Sequence, residues 1–207
     1  ETELIHKLKS PQISLCKEVR YRFPKSGETV LKERPLIIGT GPAGLFCGLM
    51  LARQGYRPVL LERGSAVDER QKKVNAFWQG GALDAQTNVQ FGEGGAGTFS
   101  DGKLNSGTKD IRQRKVLEEF VSHGAPDEIL YNAKPHIGTD MLKGTIKNIR
   151  NEIIELGGRV MFETKLVSMA FSDNKLKSIT VETANGDEII ETDNVILAIG
   201  HSARDTF

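Results

Sequence analysis

Leu36 to Glu62 reads LIIGTGPAGLFCGLMLARQGYRPVLLE, and no other stretch limits the possible folds so tightly. It holds a short apolar run, a G-x-G-x-x-G turn, a helical segment, a second apolar run and a terminal acid. That is the order a βαβ unit needs to hold the AMP half of a dinucleotide. Gly39 lets the chain turn sharply out of the first strand, Gly41 removes the Cβ that would block a diphosphate, and Gly44 lets the helix pack closely on the strand. The helix start then offers free N–H groups and a positive dipole end to the phosphates. Glu62 lies 23 residues after Gly39, at the tip of the second strand, where a carboxylate accepts hydrogen bonds from ribose hydroxyls. An acid there repels a 2′-phosphate, which disfavours NADP at this site. The flanks agree: Leu36–Ile38 and Val59–Leu61 suit buried parallel strands, Leu45, Leu49, Leu51 and Ala52 continue the helix, and Gly55 ends it. A βαβ corner with no ligand is the plainer alternative.

The 207 residues suffice for one large domain, or one domain and a fragment. With 28 Lys+Arg against 27 Asp+Glu, the charge balance gives no argument for nucleic acid or an acidic surface partner. No apolar run approaches the roughly 20 residues of a membrane span, and the N-terminus lacks a signal-like apolar region, so a cytoplasmic protein without a membrane partner is expected. Cys16 and Cys47 are the only cysteines, and without C-x-x-C a dithiol relay has no support. Cys47, beside Gly48 on the first helix, reads as a small packing residue rather than a reactive thiol. No metal-ligand spacing, nucleophile elbow or paired catalytic carboxylate is evident, so no metal site is expected.

Residues 1–34 stand outside the nucleotide unit and read as the tail of an upstream segment or a linker, with 35–207 as the nucleotide-binding domain. Ile13, Leu15, Val19, Tyr21 and Phe23 alternate as a strand does, and Pro24 to Arg34 reads as turn and linker. Val67 to Gln79 is expected to be a helix with Val74, Phe77 and Trp78 on one side. Asp110 to His123 suggests another, with Ile111, Val116, Leu117, Phe120 and Val121 inward. Thr139 is placed to cap a third running to Leu156, with Leu142, Ile146, Ile149 and Ile153 at helical spacing and Gly157 as its stop. From Arg159 onward the period changes from 3.6 to 2. Short strands are expected at 159–164, 166–171, 176–183 and 188–192, with turns at Ser172–Asn174 and Asn185–Gly186, then a last buried strand at 195–199. The predicted fold is three-layer α/β, Rossmann-like, with its parallel sheet near 36–38, 59–62, 159–162 and 195–199. A β-meander inserted before the final strand departs from the plain NAD fold and points to the FAD-binding variant.

A second glycine-rich run, NVQFGEGGAGTFSDGKL, spans Asn88 to Leu104. Gly92, Gly94, Gly95 and Gly97 allow a backbone to lie flat against a planar or charged ligand, and Thr98, Ser100, Asp101 and Lys103 add hydroxyls, acid and base. A mobile loop with solvated polar residues is the alternative. With this run in view, the chain resembles the bacterial FAD-dependent, or NAD/FAD-utilising, dehydrogenases of the glutathione-reductase-like flavoprotein class. GTGPAGL, LLERG, VDER, NVQFGEGGAGTFSDGKL, GAPDEILY, KPHIGTDML and VILAIGHSARDTF carry the resemblance from Arg34 to the C-terminus. It implies that Gly39, Gly41, Pro42, Ala43 and Gly44 bind the FAD diphosphate, and that Glu62, with Arg63 beside it in LLERG, serves the adenosine ribose. It implies further that Gly94, Gly95, Ala96, Gly97, Thr98 and Ser100 approach the pyrophosphate, ribityl chain or flavin. Lys165, Leu166 and Val167 would hold adenine through main-chain groups, and Ala198 to Gly200 would pass near the cofactor.

Members of that family continue well past the point matching Phe207, with the strand and Gly-Asp motif that bind the ribityl chain and a further domain over the flavin. The chain is therefore expected to be a piece that lacks its C-terminal part. Alone it is expected to bind FAD poorly, leaving the Gly92–Gly102 loop to be ordered by the ligand. The resemblance implies a flavin oxidoreductase of unread substrate, with NAD(P)H as possible electron donor; a non-catalytic dinucleotide-binding module and an NAD-binding dehydrogenase domain are the alternatives. Lys103, near the flavin N1/C2 carbonyl, and His136, as proton donor, are the catalytic candidates. Each has a plainer reading, as a surface lysine and a packed histidine, and His201 shares the latter.

Overall fold

The computed structural model describes residues 2–8, 10–15, 20–100, 102–104, 108 and 110–201. A helix, α1, covers Thr2–Leu8. The buried apolar triplets make the first two strands, β1 at Leu36–Ile38 and β2 at Val59–Leu61, on either side of helix α2, Pro42–Arg53. Helices α3 (Val67–Trp78), α4 (Arg112–Ser122) and α5 (Thr139–Glu155) follow, then β3, Arg159–Met161. Three antiparallel strands, β4 (Lys165–Ser172), β5 (Lys175–Thr183) and β6 (Gly186–Glu191), precede the last strand, β7, Val195–Leu197.

Strands β3, β2, β1 and β7 form one parallel sheet in that order, with Leu36 opposite both Val59 and Val195. One sheet face, carrying Ile37 and Leu60, packs on Leu45, Leu49, Ile146, Ile149 and Ile153 of α2 and α5. The other, carrying Leu36, Ile38, Val59 and Leu61, packs on Ile179 and Val181 of the β4–β6 meander. Each strand alternates its side chains between two covered faces, so every residue of β1 and β2 is apolar and buried. The result is three layers, helices over parallel sheet over meander, as the change of period after Arg159 predicts. At the far end of the helix layer Arg53 donates to Glu119 at 2.6 Å and to Glu152 at 2.5 Å, and His123 Nε2 meets Glu152 at 2.8 Å, joining α2, α4 and α5.

Several local expectations need correction. Between residues 10 and 34 the described residues form no strand: Ile13 and Leu15 are about half exposed, and the Ile13 N–H donates locally to the Ser10 carbonyl. Cys16 and Val19 fall outside the described residues. Thr139 is the first residue of α5 rather than its cap; its hydroxyl donates to the Ser100 carbonyl at 2.7 Å, and Gly138, at φ 84°, precedes the helix. Ile111, expected inward, is exposed, and Phe77 and Trp78, expected on one side of α3 with Val74, are exposed where Val74 is buried. Trp78 instead meets the edge of Phe99. Arg159–Met161 joins the parallel sheet as expected, so the meander proper has three strands. Its first turn is made by Asp173 and Asn174, both at positive φ. Cys47 is half-buried against the helix-side core, and burial pushes its thiol above the ordinary value, which fits packing.

Candidate cofactor site

Strand order reverses at β1, whose neighbours are the second strand and the last. The crevice beyond the strand ends at such a reversal is where open α/β sheets bind ligands. Three glycine-bearing segments meet there. Gly39 leaves β1 at φ 99°, and a Cβ on it would stand 2.6 Å from the Ala198 carbonyl oxygen. A Cβ on Gly44 would stand 1.9 Å from the Gly39 oxygen, so this turn closes only with glycine at both places. Gly41 is different: its φ is −66°, and a Cβ there would meet nothing within 4 Å. It opens the cradle that a side chain would fill. Gly41 precedes α2 without a side-chain cap, and helix geometry leaves the N–H groups of Ala43 and Gly44 without intrahelical acceptors, beside the positive end of the helix. Pro42, at the first helical position, loses no bond by lacking an N–H. An anionic diphosphate fits this end of the crevice.

Glu62 extends β2 by one hydrogen bond and is nearly fully buried. Its Oε2 accepts the Thr40 N–H at 2.9 Å and the Thr40 hydroxyl at 2.8 Å, and its Oε1 accepts the Gly64 N–H at 2.9 Å. The carboxylate thus already organises the turn, and a ribose hydroxyl would have to share it. Arg63 places its guanidinium 3.7 Å from the centre of the Phe91 ring. The start of the meander adjoins Glu62 through the Thr164 N–H, which donates to the Glu62 carbonyl. Of the residues assigned to adenine, Leu166 packs its side chain against the meander-side core and Val167 is exposed.

The second glycine loop lies against the first. Gly94 N–H donates to the Thr40 carbonyl at 2.8 Å, and a Cβ on Gly95 would stand 3.2 Å from Pro42 Cδ. Thr98 is buried and its hydroxyl donates to the Glu93 carbonyl, whereas Ala96, Gly97 and Ser100 are exposed. What holds this loop is the arginine of VDER, to which the sequence alone assigns no role. Arg70 of α3 has no exposed surface and donates to the carbonyls of Asn88, Val89, Gly92, Glu93 and Gly95. Burial pushes its pKa down to about 10, opposed by the charges of Glu62 and Glu93. Glu93, also fully buried, accepts the Val67 N–H at 2.7 Å and pairs with Arg150 of α5 at 2.7 Å through the same oxygen, Oε2. Its Oε1 has no hydrogen-bond partner. Burial pushes this carboxyl above the usual range, the Val67 bond and the Arg150 charge acting against it. A signal existed: Arg70 stands three residues after Val67 and four before Val74, on the inner face of its helix, where an arginine must be paired. The bonds that order the loop come from the chain itself, which corrects the expectation that a ligand must order it; Asp101 lies outside the described residues.

Lys103 and His136 are both exposed and stand opposite each other in a short antiparallel bridge. Leu104 N–H donates to Pro135 O and Ile137 N–H to Gly102 O, so the two form the closely spaced, non-hydrogen-bonded kind of pair with side chains on one face. Ala198 donates its N–H to Ile38 O, and Gly200 is exposed at φ 70°. His201 is exposed.

Residues 34–77, from the lead into β1 through most of α3, match the family model of an FAD binding domain. An uncharacterised protein of Clostridium beijerinckii is 48% identical over 207 residues, which is all of this chain and 38% of that protein. The chain therefore spans well under half of that relative's length. Its fold is similar to that of THI4 from Thermovibrio ammonificans, with a TM-score of 0.50 at 18% identity over 81% of this chain and 57% of the other. It is similar too to 3-ketosteroid-delta4-(5alpha)-dehydrogenase from Rhodococcus jostii RHA1, solved with 4-androstene-3,17-dione, with a TM-score of 0.50 at 15% identity over 86% and 48%. At these identities the likeness is one of fold, a Rossmann-like α/β architecture with flanking helices and a meander. No helix among the described residues is long and apolar enough to cross a membrane.

Proposed function

We propose that the chain is the FAD-binding part of a flavoprotein oxidoreductase, with a reduced nicotinamide as electron donor and a small molecule as substrate. The carrying observation is the packing of the Ala198 segment on Gly39 and Gly44 and of Gly95 on Pro42, which leaves the space beside Gly41 open at the N-terminus of α2. The FAD-domain match over residues 34–77 and the meander layer favour FAD over NAD as the dinucleotide. Bound FAD would supply hydride or single-electron transfer. The residues of the chain supply position and charge. The Ala43 and Gly44 N–H groups and the α2 dipole receive the diphosphate, and Glu62 fixes the turn and faces the ribose. Lys103 and His136, sharing one face of their bridge, offer a positive charge and a transferable proton beside the second loop. Arg63, Leu166, Val167 and Gly200 enter this reading through the family resemblance alone, Arg63 with the ribose, Leu166 and Val167 with adenine through main-chain groups, and Gly200 near the cofactor.

The absorption spectrum of the full-length protein as purified tests this reading, followed by addition of NADH or NADPH. A yellow protein that bleaches with either donor is expected. A colourless protein whose denatured extract contains no flavin would reject the proposal, and bound flavin that no donor reduces would point to a non-catalytic dinucleotide-binding module.

A further inference from the structure

We infer that Arg70 is the positioning residue of the second glycine loop: it gathers five loop carbonyls beneath the loop and so presets the surface that receives the flavin-side half of the dinucleotide. This rests on the FAD reading above. Arg70 has no exposed surface, so it does not touch a ligand; it acts through the backbone it binds. Its Nε donates to Asn88 at 2.9 Å and its Nη2 to Val89 at 2.9 Å, while Nη1 reaches Glu93 at 2.6 Å, Gly95 at 2.8 Å and Gly92 at 3.3 Å. The Phe99 ring lies 4.8 Å from the guanidinium carbon.

The electrostatic consequence follows from the direction of these carbonyls. Each carbonyl oxygen is the negative end of its peptide dipole, and a diphosphate is repelled by any that face it. Turning five of them toward one buried cation removes that repulsion and leaves the opposite side of the loop, with exposed Ala96 and Gly97, to face the ligand. Gly92 is part of the same device: at φ 113° its missing Cβ would stand 2.7 Å from Arg70 Cδ, so glycine lets the arginine stem pass. Gly94, bonded to Thr40, sets the loop against the first turn. A lysine has three donors on one atom and cannot span the five carbonyls that the flat guanidinium fork reaches.

The test compares FAD and ADP binding to the full-length apoprotein, because ADP needs only the first turn and Glu62. Arg70→Lys and Arg70→Ala are expected to weaken FAD about 10- to 100-fold, the size expected for lost charge-assisted hydrogen bonds. ADP affinity is expected to stay within about twofold, and millimolar guanidinium to restore FAD binding to Arg70→Ala. If Arg70→Ala does not fold, Gly92→Ala, which displaces the arginine stem while keeping its charge, carries the same expectation of an FAD-selective loss. Wild-type FAD affinity in Arg70→Lys, or equal losses for FAD and ADP, would overturn the inference. Failure of the underlying FAD reading looks different: the unaltered apoprotein itself then takes up no FAD.

Discussion

At the two ends of the Gly39–Gly44 turn, backbone presses on backbone: a Cβ on Gly39 would strike the Ala198 carbonyl and one on Gly44 the Gly39 carbonyl. In the Gly92–Gly97 loop, neighbouring in space, the backbone is held from below by a guanidinium that reaches across from α3. The first turn is marked locally, by glycines at fixed spacing, with Ala198 backing it from the end of β7. The second is specified at a distance, by one arginine about two dozen residues earlier in the chain. A glycine motif therefore announces a site, whereas a glycine-rich loop acquires a defined shape only from whatever lies beneath it.

The largest expected effect comes from the local side of this contrast. Gly44→Ala puts a methyl group 1.9 Å from a backbone oxygen that cannot swing away, and a stability loss of about 3 kcal/mol or more is expected in denaturant unfolding. Near-normal stability would mean that the helix stands off the strand more than the contact implies. Next in size is Glu62→Gln. The amide keeps one acceptor oxygen and turns an NH2 toward a donor, so a cost of about 1.5 to 3 kcal/mol is expected, together with weaker FAD binding. Loss of stability without loss of affinity would make Glu62 an organiser of the turn alone.

Acidity separates the two regions further. Burial raises the Glu93 carboxyl above its value in the unfolded chain, so the native state holds this proton more tightly. The stability it contributes is complete below the unfolded value near pH 4.3 and is lost as pH rises through the higher native one. Relative to Glu93→Gln, the unaltered protein should lose stability as pH rises from about 4 toward neutrality, as read from melting temperatures across that range. A parallel pair of curves would show that Arg150 and the Val67 N–H fully compensate the buried charge. The smallest effect on stability belongs to Gly41→Ala, whose Cβ enters open space at an ordinary φ; unfolding should change by no more than about 0.5 kcal/mol while FAD binding falls about tenfold. Undiminished binding would place the diphosphate elsewhere.

What the sequence could convey divides along the same line. The βαβ unit, the α5 stripe of Leu142, Ile146, Ile149 and Ile153, and the switch from period 3.6 to period 2 at Arg159 were all legible, since each is a pattern among near neighbours in the chain. The alternation of Ile13 to Phe23 misled for the same reason: it is a local pattern, and a strand exists only where another strand receives its hydrogen bonds. Phe77 and Trp78 are exposed although they follow Val74 on the same helix, because apolar spacing alone does not say which turns of α3 are covered. Glu93 and the Arg53–Glu119–Glu152 group were illegible because charged side chains normally meet water, and only the fold shows that Glu93 and Glu119 are closed off; Arg70 left a trace, a charge on the inner face of α3, without showing the loop it holds. The Lys103–His136 pairing required a bridge between segments that no periodicity links.

The contact between Gly39 and Ala198 also sets an order in time. Strand β1 pairs with β7, so the wall behind the first turn comes from residues made 159 positions later. At about 5 to 20 residues per second of synthesis, the turn waits roughly 8 to 30 seconds for that wall. Until then β1 has one neighbour in place of two, and the meander must be threaded before the last strand can close beside it. The long delay leaves β1 as an open, apolar edge on the ribosome, which makes the emerging chain a candidate for chaperone protection during the stretch of its synthesis that precedes Ala198.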